Sequence, residues 1–356
     1  MSGVLDDALF SILNIEERML FMRFSQIDKL KLICCVVVIF IHVLTWSDYY
    51  RYLYLLRFAV PCFFLINGFF YETDNYKNRV LKAVYLFLGA NLLYLIWDII
   101  FRKLTGEYTF NTIGLSLRQV VTHFLLWNES PVEWHLWYLG AYLYAVILMK
   151  PFIEHVDESI RIIISTVLLL SGILFGKYSL VFFGVDHFVC ESRNWLFLGL
   201  PLITIGYSIK FHYSELKDRV KVVPLIAIVL ISLIVTYLEN RYFVAHEIWS
   251  TGDVFFATPV LAICLFLLAL LYGKSNQTVI SEMGRKYSTG IYIIHFVFFE
   301  LIMHYFPSLC TSKKGCLLEG ILVFILSLVS VMIYQKLISV VKRNNDFQTS
   351  KGNPNV

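Results

Sequence analysis

Leu30-Lys31-Leu32-Ile33-Cys34-Cys35-Val36-Val37-Val38-Ile39-Phe40-Ile41-His42-Val43-Leu44-Thr45-Trp46 has a lysine at its start and a histidine near its end, with apolar residues filling most of the space between. A helix that crosses a membrane needs about 20 mostly apolar residues, and this run comes close. Lys31 and His42 are eleven positions apart. At 100° per residue they return to within about 20° of the same face, about 16 Å apart along the axis. One helix therefore points a cation and an imidazole into the same interior at opposite depths. Ionisable groups in hydrocarbon cost several kcal/mol unless paired or hydrated, so each one marks a candidate site.

The pattern repeats along the chain. Apolar runs at 30–46, 52–71, 80–101, 134–153, 160–176, 194–211, 221–238, 253–273, 287–306 and 316–341 predict ten spans. The composition agrees: 58% of the 356 residues are hydrophobic and 16% charged, against about 45–50% and about 25% in soluble domains. We expect an all-α polytopic integral membrane protein, with about ten transmembrane helices in one bundle over 30–341. Residues 1–29 carry Asp6, Asp7, Glu16, Glu17, Arg18 and Arg23 and are expected to form a cytoplasmic segment, amphipathic over Leu5–Phe24, rather than a signal peptide. Residues 342–356 are expected to be a polar, disordered cytoplasmic tail. The connection 102–133 is expected to hold an interfacial helix around Leu115–Trp127.

Charge and cysteine usage narrow the classes further. A net charge of +4 without basic clusters points away from nucleic acid. Cys34, Cys35, Cys62 and Cys264 lie inside apolar runs and read as small hydrophobes, while a disulfide among Cys190, Cys310 and Cys316 stays open. No cysteine pair has zinc-ligand spacing, and no metal is expected.

Orientation follows from lysine and arginine. With the N-terminus in the cytoplasm, twenty basic residues fall on the inner side and nine on the outer, with Arg57 inside a span. Ten spans would leave both termini inside, in the plasma membrane. Depth then sorts the polar groups. His42, Arg57, Asp98, His135, Arg193 and Asn194 lie toward the outer side. Lys31, Arg79 and Lys82 lie at the inner side, where they serve a positive-inside loop as well as they would serve an anionic ligand. A histidine that titrates near neutrality can take a proton from a hydroxyl and return it to a leaving group. His42 also suits a hydrogen-bonded core position, and His135, in Trp134-His135-Leu136-Trp137, suits an interfacial aromatic belt. Trp46, Trp97, Trp127 and Trp249 read as interface anchors.

At these residues the sequence resembles the membrane acyltransferase 3 family, whose members include sugar O-acetyltransferases of bacterial surface polysaccharides. Lys31 and His42 are similar to its arginine, ten residues, histidine signature. Arg57-Phe58-Ala59-Val60-Pro61-Cys62-Phe63-Phe64-Leu65-Ile66-Asn67-Gly68-Phe69 resembles its Arg-x-x-Val-Pro-x-Phe-Phe-x-x-Ser-Gly-Phe run. Arg79 with Lys82, Trp134 to Leu139, Arg193-Asn194 through Gly206, and Tyr287-Ser288 with Tyr292 to His295 follow in the family's order. Lys31 and Lys82 stand where arginine is usual, which keeps charge but loses bidentate geometry. Asn67 stands where serine is usual.

The resemblance implies transfer of an acyl group, expected to be acetyl, from cytoplasmic acetyl-CoA or another acyl-CoA to a hydroxyl of a cell-surface or lipid-linked carbohydrate. It implies His42 as the base, with Arg57 and His135 beside the acceptor. Lys31, Arg79 and Lys82 would hold the CoA phosphates. Asn67, Arg193, Asn194, Tyr292 and His295 would line the substrate path. The expected partners are membrane lipid, acyl-CoA and carbohydrate. A polysaccharide exporter or a non-catalytic subunit of a glycan assembly complex are the rival readings. Unpaired prolines in the spans speak weakly against the first.

Overall fold

The computed structural model describes residues 24–106, 116–248 and 252–351. The segment 1–23, most of it expected to be amphipathic, and the last five residues lie outside the described part, as does Trp249. All regular elements among the described residues are helical, with no strand. In chain order they are α1 (Ser25–Thr45), α2 (Ala59–Phe69), α3 (Tyr76–Thr105), α4 (Leu117–Leu125), α5 (Trp137–His155), α6 (Glu158–Phe175), α7 (Ser179–Phe183), α8 (Val189–Ser192), α9 (Leu200–Phe211), α10 (Tyr213–Arg219), α11 (Val222–Ala245), α12 (Ala257–Tyr272), α13 (Val279–Tyr305) and α14 (Lys313–Lys351). Short 3₁₀ turns precede α2 and α5, and a π turn, Trp195–Gly199, leads into α9.

Among the described residues, seven helical segments are long and apolar enough to cross a membrane: Tyr50–Phe69, Tyr76–Thr105, Trp134–His155, Glu158–Phe175, Val222–Ala245, Val279–Tyr305 and Lys313–Val341. The expected count of ten is not reached by that measure, for local reasons. α1 has 21 residues but carries Asp28, Lys29 and Lys31 near its start. α9 has 12 residues, because the chain before it is wound as a π turn. α12 has 16 and stops at Gly273. α14 continues to Lys351, past the expected end of the last span.

Glycines set the packing of the interior. α1 lies along α13, and α2 along α9. A Cβ on Gly68 of α2 would sit 2.0 Å from the Ile203 carbonyl oxygen, and one on Gly206 of α9 would sit 2.1 Å from that of Leu65. The two helices thus present glycines to each other's backbones. Gly284 of α13 does the same toward α1, with 1.9 Å to the Asp28 carbonyl oxygen. Small residues at such crossings allow the close contact by which helices associate within lipid.

Exposed apolar side chains mark the lipid face. On α3, Leu88, Leu92, Ile96 and Ile99 are exposed, and on α11 Ile226, Leu230, Ile234 and Leu238. Their steps of three and four residues follow one face of a helix. α4 falls within 115–127, the stretch expected to hold an interfacial helix. Ser116 and Gln119 close a capping box at its start, and Leu117, Val121 and Leu125 point outward while His123 is buried. Cys190 and Cys316 are both buried, and no disulfide joins them. The side chain of Cys310 lies outside the described part.

Candidate functional site

Helix ends build the first half of the site. Lys31 in α1, Arg79 and Lys82 in α3 and Arg285 in α13 all sit within two turns of their helix starts. They surround a cavity of about 330 Å³, whose wall also includes Asn67, Ser288 and Tyr292. Arg285, Ser288, Thr289 and Tyr292 follow one stripe of α13. Asn67 donates its amide to the Tyr138 hydroxyl at 2.7 Å and to the Phe63 carbonyl at 2.9 Å. Lys31 pairs with Asp28 at 3.1 Å. The Arg79 guanidinium donates to the Phe70 carbonyl at 2.5 Å and lies over the Tyr71 ring. Among the described residues no carboxylate pairs with Arg79, Lys82 or Arg285. The cavity is therefore a concave cationic surface that attracts polyanions.

Three histidines build the second half. His42 near the end of α1, His135 before α5 and His295 in α13 are all buried. Their ring centroids are 5.0 Å apart for His42 and His295, 5.5 Å for His135 and His295, and 6.1 Å for His42 and His135. His295 Nδ1 lies 2.7 Å from the Tyr292 carbonyl oxygen. A carbonyl only accepts, so Nδ1 carries the proton and Nε2 offers a lone pair. His295 Nε2 and His42 Nδ1 are buried with no hydrogen-bond partner among the described residues. His135 Nδ1 is 3.7 Å from the Glu133 carboxylate, too far for a direct hydrogen bond.

An ion triad flanks the histidines. Asp253, before α12, takes Arg57 at 2.7 Å on one oxygen and Arg193 on the other. The Arg193 guanidinium also covers the Trp137 ring at 4.8 Å. His42, Arg57, His135, Arg193, Asp253 and Tyr292 share a small cavity of about 50 Å³. Beyond Arg57 and Asp253 lies a larger basic pocket of about 290 Å³, with Arg51 and Lys177 in its wall. Burial lowers the Lys177 ammonium below its ordinary value, against the opposing pull of Asp253. On the other side of the histidines, Glu133 and Glu300 face a pocket of about 530 Å³ walled by Trp46, Trp134, Phe296 and His304.

Tyr292 joins the halves. It lines both the cationic cavity and the small histidine cavity, and its hydroxyl donates to the His135 carbonyl at 2.7 Å. The profile of a family described as an acyltransferase domain, acyltransferase 3, matches residues 24–335. The chain belongs to this acyltransferase 3 family. It carries an acyltransferase domain and is a membrane protein. A serine/alanine racemase of Enterococcus gallinarum is 26% identical over 295 residues. That match covers 77% of this acyltransferase and 40% of the relative, so the chain spans less than half of the relative's length. No solved structure matches the chain.

The structure brings Lys31, Asn67, Arg79, Lys82 and Tyr292 together on one cavity, and His42, Arg57, His135 and Arg193 on the next. His295 stands behind His42 rather than on a cavity wall. Asn194 is fully buried and works as a cap. Its oxygen accepts from the amides of Leu196 and Phe197, and its amide donates to the carbonyls of Cys190 and Glu191. With both ends of its side chain so engaged, Asn194 holds the π turn and lines none of the cavities described above. Arg285 and Asp253 escaped the sequence reading as site residues. Arg285 had a signal, lying seven residues before Tyr292 on the same face. Asp253 had none beyond its place next to an apolar run.

Proposed function

We propose that the protein transfers an acyl group, acetyl in the first instance, from acyl-CoA to a hydroxyl of a cell-surface or lipid-linked carbohydrate. The observation that carries this reading is the single side chain, Tyr292, shared by a cationic cavity and a cavity lined by two buried histidines. The Lys31 end faces the cytoplasm of a plasma-membrane protein, in line with the twenty-to-nine asymmetry of basic residues. The CoA phosphates lie on Lys31, Arg79, Lys82 and Arg285. The pantetheine arm runs past Asn67 and Tyr138 and brings the thioester to Tyr292.

The acceptor hydroxyl reaches His42 from the opposite side. His42 takes its proton as the oxygen attacks the thioester carbonyl, forming the new C–O bond. Arg57 and Arg193 stabilise the resulting oxyanion electrostatically. Collapse breaks the C–S bond, and the imidazolium returns the proton to the departing CoA sulfur. His295 lies tilted against His42 and restricts its ring.

Purified protein in detergent, given radiolabelled acetyl-CoA and a membrane fraction from its own host, is expected to move label into a lipid-linked or polysaccharide fraction and to release free CoA. Label that stays on CoA, with carbohydrate instead crossing sealed vesicles, would favour an exporter.

A further inference from the structure

The loop after α4 and the one-turn helix α8 meet outside the membrane-spanning helices, beside Arg193. His123 comes from α4, Glu129 follows it, and Cys190 lies in α8, so the three arrive from segments about sixty residues apart. One ligand atom from each, an imidazole nitrogen, a carboxylate oxygen and a thiol sulfur, lies within 4.8 Å of the other two. His123 Nδ1 and Glu129 Oε2 are 3.0 Å apart. All three side chains are shielded: Cys190 and His123 are buried, and the Glu129 side chain is 14% exposed.

The backbone under each of the three is fixed by bonds of its own. The Glu129 amide donates to the His123 carbonyl at 3.0 Å, closing the loop that carries both. Between them Asn128, with a positive φ of 55°, donates to the Trp137 carbonyl and accepts the Trp195 amide. The Cys190 carbonyl is held by the Asn194 side chain. A triad fixed this way has little ordering entropy left to lose when a ligand arrives.

We propose that His123, Glu129 and Cys190 form a zinc site that fastens the α4 loop to the α8 turn. Nitrogen, oxygen and sulfur donors together suit a borderline ion of this kind, bound at about 2.0–2.3 Å. The 4.8 Å limit leaves a closing movement of about 1 Å to reach tetrahedral spacing. The ion takes the place of the proton between His123 and Glu129, and that proton and the one from the Cys190 thiol pass to solvent as the Zn–N, Zn–O and Zn–S bonds form. A water completes the tetrahedron, and His187 and Glu191 are paired with each other. Residues 193 and 194 follow α8 directly, so the ion steadies the segment that presents Arg193 to Asp253. No local motif announces the site, because its ligands meet only in the folded chain.

The test uses the purified full chain in detergent, stripped with a chelator and reloaded with zinc chloride or cobalt chloride. One zinc per chain is expected by elemental analysis, with a rise in the thermal midpoint. The cobalt form is expected to absorb intensely by thiolate-to-metal charge transfer. Cys190→Ser and His123→Gln should lose the zinc, the absorption and the thermal rise, and His187→Gln should keep all three. The cobalt spectrum of the unmutated chain needs no variant to fold, and a spectrum without the thiolate band overturns the site. So does zinc retention that Cys190→Ser leaves unchanged, or a chain that takes up no zinc.

Discussion

The two ends of the bundle use charge in opposite ways. At the Lys31 end, Arg79, Lys82 and Arg285 meet around an open cavity with no described carboxylate paired to them, and Lys31 alone has Asp28. At the His42 end, Arg57 and Arg193 both close on Asp253, and the neighbouring cavity is small, about 50 Å³, with His42, His135, Trp137, Tyr292 and aliphatic side chains in its wall. Uncompensated cations invite a polyanion from outside. Cations locked to a shared carboxylate hold a fixed field and keep a pocket's shape. The difference separates binding at one end from chemistry at the other, and each variant below tests that separation.

The largest effect is expected at His42. A general base contributes about 10²–10⁴-fold, so His42→Gln should lower kcat by that order with normal expression and unchanged KM for acyl-CoA. Gln fills the volume and hydrogen-bonds but takes no proton at neutral pH. A His42→Gln enzyme with near-normal turnover would move the base to His135 or His295 and break the assignment of chemistry to this end.

Asp253 comes next. Removing one partner of a buried ion pair costs about 3–5 kcal/mol, because a charge is left uncompensated. Here Asp253→Asn leaves two arginines facing each other. The expected result is a clear fall in thermal midpoint in detergent, together with lost activity. Asp253→Glu should recover part of both. An Asp253→Asn protein as stable as the parent would mean that the triad does not hold the pocket.

Much of the fold was legible because hydrocarbon imposes a simple rule: long apolar runs become helices. The rule blurred where the site intrudes. Charges at the base of α1 lower its apolar content, and the π turn before α9 shortens that helix, in the places that carry Lys31 and Arg193. Helical pitch put Lys31 and His42 on one face of α1, and each lines a cavity. Arg285 shares a face with Tyr292, seven residues on, but went unread because a basic residue at a helix start is ordinary for any inner loop. Asn194 was misread for a related reason: a polar side chain beside an apolar run can bind a ligand or cap a turn, and only its hydrogen bonds tell which. Asp253 owes its role to Arg57 and Arg193, which lie 196 and 60 positions earlier, and no local pattern encodes such a meeting.

Arg285 sharpens the comparison from the binding end. A hydrogen bond to a charged group contributes about 1.5–3 kcal/mol, so Arg285→Ala should raise KM for acyl-CoA roughly tenfold to a hundredfold with little change in kcat. Lys31→Ala should act in the same direction, and Lys31→Arg should stay near normal because charge is kept. Added salt should raise KM for the parent more than for Arg285→Ala, as screening reaches charges that face an open cavity. A fall in kcat with constant KM would place Arg285 in the chemistry and erase the division between the ends.

The smallest effect is expected where the two ends touch. Tyr292→Phe removes one hydroxyl, whose proton goes to the His135 carbonyl at 2.7 Å. The ring stays, and so does the partition between the cavities. A hydrogen bond of this kind contributes about 1 kcal/mol, which is roughly a fivefold change in rate. The loss should be in kcat, because the bond anchors the turn that carries His135 and not the cationic wall. Tyr292→Ala differs in kind. It merges the cavities, so water should reach the thioester, and acyl-CoA hydrolysis without an acceptor should rise relative to transfer. Comparing free CoA with acylated product for both variants separates the roles. If Tyr292→Phe alone lowers turnover more than a hundredfold, the hydroxyl takes part in the reaction itself, and Tyr292 is more than a latch between a binding half and a reacting half.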